Sequence, residues 1–300
     1  MAYILLILTV LFWAGNFILA RAIHMDMQPF TLAFMRWGLA LLLILPWLLP
    51  KLIKNLPVIR QYLPRLLLLS FLGVVCFNTL VYQGVQYTTA SNATLMQSAI
   101  PIVILVVTSL FLGEKAGFRQ WVGVFISFCG VVVLVSRGDH QVITSLDFNR
   151  GDLWIFGAVM SWALYSIALR WKPTELDGFT FFGFSVLAGV LVLLPLAIFE
   201  QGGVPLLEMR SDIMMTVLYM AVFPSILSFI FWNKGVAELG APTAGLFIHL
   251  MPLFGMALSV LFLGESVYLY QLFGILLIFT GIYLAVVAQT LKRLQKQSAN

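Results

Sequence analysis

Apolar residues in this chain run in long continuous blocks and do not alternate with polar ones. Ten blocks stand out, at 3–22, 30–49, 64–86, 91–112, 118–136, 151–171, 178–199, 212–233, 241–263 and 268–290. Each approaches the ~20 residues that a helix needs to cross the hydrocarbon core of a bilayer. A membrane β-barrel would show short alternating segments, so the pattern predicts an all-α integral membrane protein with ten transmembrane helices. The polar stretch 137–150, with Arg137, Asp139, His140, Asp147 and Asn149, separates five blocks from five. The first block has a leader-like length, but no basic region precedes it, and it is read as a mature helix.

The two sets of five repeat one another. Leu110-Phe111-Leu112-Gly113-Glu114 returns as Leu261-Phe262-Leu263-Gly264-Glu265, 151 positions later. At that offset Pro101 meets Pro252, Gly123 meets Gly274 and Gly130 meets Gly281. Nearer the start the offset is 149, and Trp13-Ala14 meets Trp162-Ala163. Five is odd, so the second set enters the membrane from the opposite face. The repeats, 1–136 and 151–290, are therefore expected to be inverted about an axis in the membrane plane, with a short basic tail at 291–300. That is a common way to build a carrier that opens to each side in turn.

Composition agrees with lipid as the solvent. Hydrophobic residues make up 61% of the 300 and charged residues 10%, with mean hydropathy +1.01; a soluble domain carries about 25% charged residues. Basic residues set the expected orientation. The face shared by both termini carries twelve, including Lys51, Lys54, Arg170, Lys172 and Lys234, and the other carries Arg21, Arg137, Arg150 and Arg210. The positive-inside rule then places both termini in the cytoplasm. No basic stripe with interleaved aromatics lies outside the spans, so nucleic acid is not an expected partner. Cys76 and Cys129 lie inside spans and read as small packing residues.

The Trp-Ala pair of each first helix, the Leu-Phe-Leu-Gly-Glu segments, Leu11-Phe12-Trp13-Ala14-Gly15-Asn16-Phe17 and Phe34-Met35-Arg36-Trp37 resemble the EamA-type branch of the drug/metabolite transporter superfamily, over nearly the whole chain. That resemblance implies a central cavity lined mainly by helices 1, 3, 4, 6, 8 and 9, with helices 5 and 10 peripheral. It also implies a transporter rather than an enzyme, with amino acids and other metabolites among the substrates of the branch, often exported.

Polar groups within spans are costly and become the candidates for function. Arg36 lies about six residues into the second span, so it either clamps a substrate carboxylate or bonds structurally near the interface. His249, three residues before Pro252, is the only His within a span. It is the candidate for proton coupling, or else a neutral bonded ring. Gln97 and Ser98 hold the matching depth before Pro101, and Ser98 aligns with His249. Pro101 and Pro252 interrupt backbone bonding and can free carbonyls as hinges, whereas Pro224 aligns with Gly73 and reads as a local kink.

Trp13, Asn16 and Phe17 share a helix face, repeated by Trp162, Tyr165 and Ser166. With Phe77, Asn78 and Tyr82, and Phe229, Trp232 and Asn233, they are expected either to form an aromatic wall with a few amides or to pack against lipid. Trp37, Trp47, Trp121 and Trp154 read as belt or packing residues. Glu114 and Glu265 are capping acids or gating charges, and Gly123, Ser127, Gly130, Gly274 and Gly281 offer close helix contact within or between protomers. No Asp or Glu falls in mid-span, which points to neutral, zwitterionic or weakly amphipathic cargo; the resemblance puts amino acids first, with multidrug efflux of aromatic or cationic amphipathic compounds as the alternative. No cofactor or metal is expected. The candidate partners are a small-molecule substrate, the lipid bilayer and a proton, in a monomer or homodimer. An intramembrane enzyme would need an acid pair, a metal cluster or a nucleophile–base pair. The chain has no His-Glu-x-x-His run and no acid pair.

Overall fold

A computed structural model describes residues 1–23, 25–88, 90–113, 116–136, 138–139, 141, 150–201, 210–263 and 268–298. The spanning helices are α1 (Ala2–Ala22), α2 (Pro29–Lys54), α3 (Leu63–Tyr87), α5 (Phe118–Val135), α6 (Arg150–Trp171), α7 (Gly178–Gln201), α8 (Ser211–Leu239) and α10 (Leu269–Ser298). Between α3 and α5 lies α4, in two pieces, Ala90–Gln97 and Ile100–Phe111. Between α8 and α10 lies α9, which runs as Ala241–Leu246, a 3-10 turn Phe247–Leu250, and Met251–Leu263. Nine helices among the described residues are long and apolar enough to cross a bilayer, and the interrupted α4 fills the remaining position.

Backbone irregularities recur at repeat-related places. Proline has no N–H to continue the α-helical ladder. In α4 the Ser98 and Ala99 amides reach back three residues, to Leu95 and Met96, just before Pro101. In α9 the 3-10 turn ends two residues before Pro252. A second pair of breaks lies in α3 and α8, which turn to π-helix over Phe71–Cys76 and Ala221–Leu227. Gly73 and Pro224 sit at the same place in these two segments, so Pro224 is not a local kink without a partner. The residue type differs, but the backbone departure is shared.

Glycines set how closely equivalent helices approach. A Cβ on Gly84 would lie 2.7 Å from Ile155 Cγ1, and one on Gly235 would lie 2.7 Å from Leu6 Cγ. These are the same contact in both repeats, α3 on α6 and α8 on α1. Between α5 and α10, Gly123 faces Gly281 and Gly130 faces Gly274. The order reverses along the two helices, so these equivalents pack antiparallel, as inversion requires. The small-residue faces are thus used within the chain. These two helices are also the least buried of the spans, at the periphery.

Helices α2 and α7 are tied at both ends. Asp177 caps α7, accepting from the Phe179 and Thr180 amides at 3.0 Å each, and its other oxygen meets Lys51 of α2 at 3.3 Å. Its equivalent before α2 is Gln28, whose side chain makes no cap bond. There the carboxylate comes from the far end of α7. Glu200, the equivalent of Lys51, accepts from the Phe30 and Thr31 amides at 3.1 and 2.7 Å. A carboxylate at a helix N-terminus meets unpaired N–H groups and the positive end of the helix dipole.

Candidate functional site

The aromatic residues collect at the centre. Trp13 and Trp162 are repeat equivalents, and their rings meet edge-on at 4.9 Å, which places them on the pseudo-two-fold axis. Trp232 lies 5.2 Å from Trp13, Phe229 lies 5.3 Å from Trp162, and Phe77 lies 4.5 Å from Trp162. The rings pack on one another in a buried core, with Phe17 buried beside them, and do not stand along an open wall. Trp37 is no belt residue. It is fully buried, edge-on to Phe229 at 4.9 Å. Trp47 and Trp154 are exposed where lipid would lie.

Arg36 is 1% exposed and joins four helices. Its Nη1 donates to Asn78 Oδ1 at 2.9 Å and Tyr82 Oη at 2.7 Å, and more distantly to Asn16 Oδ1 at 3.4 Å. Its Nε donates to Ser225 Oγ, and its Nη2 to the Pro224 carbonyl at 3.0 Å. That carbonyl also accepts from Trp13 Nε1 at 3.2 Å. The π segments make these acceptors available. Pro224 leaves Met220 O without its α-helical donor, and Ser225 Oγ takes it at 2.7 Å. In α3, Asn78 Nδ2 donates to the Gly73 and Val74 carbonyls at 3.1 and 2.9 Å, which turns its Oδ1 toward Arg36. Every acceptor is neutral, and no carboxylate pairs with Arg36 among the described residues. The hub closes the half of the molecule away from the Lys51 face and ties the first repeat to α8 of the second.

A tyrosine–asparagine bond is exchanged between the repeats. Tyr82 of α3 donates to Asn16 of α1 at 3.2 Å. At the equivalent positions Tyr165 of α6 donates to Asn233 of α8 at 2.8 Å. The bond stays while its two residue types trade helices.

His249 forms a second bridge. Its Nε2 lies 2.9 Å from the Ser98 carbonyl, and its Nδ1 lies 2.6 Å from Ser127 Oγ. A carbonyl only accepts, so Nε2 carries the proton, and the neutral ring's Nδ1 accepts from the Ser127 hydroxyl. Ser98 and His249 are repeat equivalents in contact, so this bridge also marks the axis. Gln97, beside it, is 1% exposed, and neither its Nε2 nor its Oε1 has a partner. Gln97, Ser98 and His249 belong to the α4–α5–α9 region, apart from the Arg36 hub. Glu114 and Glu265 lie outside the described residues.

An open cavity of about 660 Å³ occurs at the Lys51 face, between α6, α7, α8 and the start of α9. Its floor carries Ser166 and Asn233, its walls include Phe179, Phe181, Ile230 and Val236, and its mouth carries Arg170, Lys172 and Lys234. All these residues belong to the second repeat, and α7 contributes although the resemblance implied no wall from it. The repeat explains the space. Ser166 stands where the first repeat has Phe17, and Ser185 where it has Arg36. Phe17 fills its place in one half, and Ser166 leaves the floor of the other open, while Ser185 is buried off the cavity and donates to the Phe181 carbonyl at 3.0 Å.

The mouth is electrostatically tuned. Burial lowers the Lys172 ammonium from its usual range, against Asp177 and Glu175, which pull it back up. Its Nζ rests on the Leu176 and Pro173 carbonyls at 2.5 and 3.2 Å. Burial pushes the Asp177 carboxyl up, but the Thr180 hydroxyl and amide and Lys51 outweigh this and hold it below its usual value. Sequence reasoning used Arg170, Lys172 and Lys234 only for topology and missed Ser225. The depth of Ser225 beside Pro224 was the available signal. No group of metal-ligating side chains occurs among the described residues.

Comparison with known proteins supplies the family. The EamA-like transporter family model matches residues 1–136 and 149–287. The chain is 26% identical to the uncharacterized transporter YyaM of Bacillus subtilis (strain 168), over 94% of this chain and 92% of that one. It is 27% identical to an uncharacterized transporter of Archaeoglobus fulgidus, over 96% and 98%. A crystal structure shares the fold, with TM-score 0.77 at 18% identity, covering 97% of this chain and 98% of its own. With two family matches spanning both sets of helices, the chain belongs to the EamA-like transporter family.

Proposed function

We propose that this membrane transporter is a secondary carrier that exports small metabolites bearing a carboxylate, amino acids being the first to test, by alternating access. One observation carries the reading. At repeat-related positions one half is closed by Phe17 and the Arg36 hub, and the other is open above Ser166 and Asn233. Inverted repeats that exchange these conformations would open the other face. With the basic face in the cytoplasm, the open cavity is the entrance for outgoing cargo in a bacterial inner membrane. Arg36 is the guanidinium a carboxylate would meet next. It has only neutral acceptors now, and a carboxylate forms stronger, charge-assisted bonds.

His249 supplies the proton site. Protonation at Nδ1 would turn Ser127 from donor to acceptor, and both ring contacts would persist. An unpaired charge here is costly, so protonation belongs to another state of the cycle.

Counterflow tests the reading. Proteoliposomes loaded with a mixed amino-acid pool should accumulate labelled amino acids from outside. Intact protein that shows no counterflow but moves a cationic dye would replace this reading with multidrug efflux. Arg170, Lys172 and Lys234 at the cavity mouth oppose a cationic cargo.

A further inference from the structure

From the chemistry of the cavity we infer that the preferred cargo is an amphipathic monocarboxylate without an ammonium group, an organic acid with an aromatic or branched aliphatic body. The inference rests on the transport reading and narrows its substrate class. Donors and acceptors around the cavity are unequally spent. Asn233 Oδ1 already accepts from the Tyr165 hydroxyl at 2.8 Å, while its buried Nδ2 has no partner. Ser166 Oγ accepts from Trp232 Nε1 at 3.2 Å, which leaves its own hydrogen to donate. At the mouth, carbonyls that could receive a ligand's ammonium are taken by the protein's own cations. Lys172 occupies those of Leu176 and Pro173, and Arg170 Nε occupies that of Ile167 at 3.2 Å.

Among the described residues no carboxylate lines the cavity. The acids just outside the lining are engaged: Glu238 sits 4.0 Å from Lys234, Asp177 binds Lys51 at 3.3 Å and caps α7, and Glu175 accepts from the Tyr62 hydroxyl at 3.2 Å. The floor therefore holds unspent donors just beneath its surface, the rim carries positive charge and the walls between are apolar. A carboxylate would satisfy the stranded Asn233 N–H, whereas an ammonium would find like charge in the lining and only acids that the protein's own groups already engage. The volume, about 660 Å³, lies in the usual range for small-molecule sites and admits a phenyl-sized body beside Phe179 and Phe181.

A matched trio tests this: 3-phenylpropionate, phenylalanine and phenethylamine share a ring and differ in carboxylate and ammonium. Binding to the detergent-purified full chain would be followed by calorimetry. The expected order is phenylpropionate first, phenylalanine about tenfold weaker and phenethylamine last. Asn233→Asp keeps an acceptor for Tyr165 but replaces the donor with negative charge. It should weaken phenylpropionate at least about tenfold, and Ser166→Ala should weaken it less. Phenylalanine or phenethylamine binding tighter than phenylpropionate, an unchanged Asn233→Asp, or no binding of any of the three would overturn the inference. Counterflow keeps the two claims separate. Amino-acid exchange without phenylpropionate binding sinks the inference alone, and phenylpropionate binding without any transport sinks the carrier reading alone.

Discussion

Arg36 is a buried cation whose position depends on neutral atoms. Its partners come from α1, α3 and α8, so the guanidinium fork cannot be replaced by a point charge. Arg36→Lys should leave several acceptors unsatisfied and lower stability by roughly 1–3 kcal/mol, read as thermal unfolding in detergent. An unchanged midpoint would mean the hub does not hold the closed half. His249→Gln removes the ring that can take a proton while keeping a donor for Ser98. It should abolish stimulation by a pH gradient, and gradient-driven transport at the original rate would count against His249. Depth and solitude in the sequence picked out both residues, because a polar group amid twenty apolar ones has few alternatives. The partners were less legible. Ser225 and the Pro224 carbonyl reach Arg36 only through a π segment, and nothing local in Ala221–Leu227 other than the proline announces one. The cavity was legible only as a difference between repeats, Phe17 against Ser166.

At the scale of elements, long apolar blocks translate directly into helices because an unpaired backbone cannot lie in lipid. What the blocks do not encode is how close two helices come. Gly123 and Gly281 set that distance for α5 and α10. A Cβ on Gly123 would stand 2.6 Å from the Gly281 carbonyl. Gly123→Leu should force the pair apart and destabilise by roughly 1–3 kcal/mol, again visible as a lower unfolding midpoint. The cap on α7 gives a pH-dependent case. Asp177 is held below its ordinary carboxyl value in the folded chain. Its contribution is therefore complete above the unfolded value of about 3.9 and is lost as pH falls through the lower folded one. Asp177→Ala should cost about 1 kcal/mol near neutral pH. The loss should shrink on acidification below about pH 4, and a pH-independent loss would assign the effect elsewhere. Glu200, which caps α2 from the far end of α7, was invisible in sequence because the two segments are 169 and 170 residues apart.

For the whole molecule, two repeats of five helices imply inversion by counting alone. The structure adds contacts between equivalents, Trp13 with Trp162 and Ser98 with His249, that trace the axis. Which half would be open did not follow from the count. It goes with the exchange of a large for a small side chain between the repeats, Phe17 for Ser166 at the cavity floor. The central claim is that the halves open in turn, and single cysteines at the repeat equivalents test it most directly. In a chain with Cys76 and Cys129 replaced by alanine, Ile230→Cys in the cavity wall and Thr79→Cys at its buried repeat equivalent would each be labelled in vesicles by a membrane-impermeant thiol reagent. The account predicts fast labelling of Ile230→Cys from the Lys51 face and slow labelling of Thr79→Cys from the opposite face. Cargo on the Lys51 side should slow the first and speed the second. Rates that ignore cargo, or two sites that open and close together, would contradict alternating access in this chain.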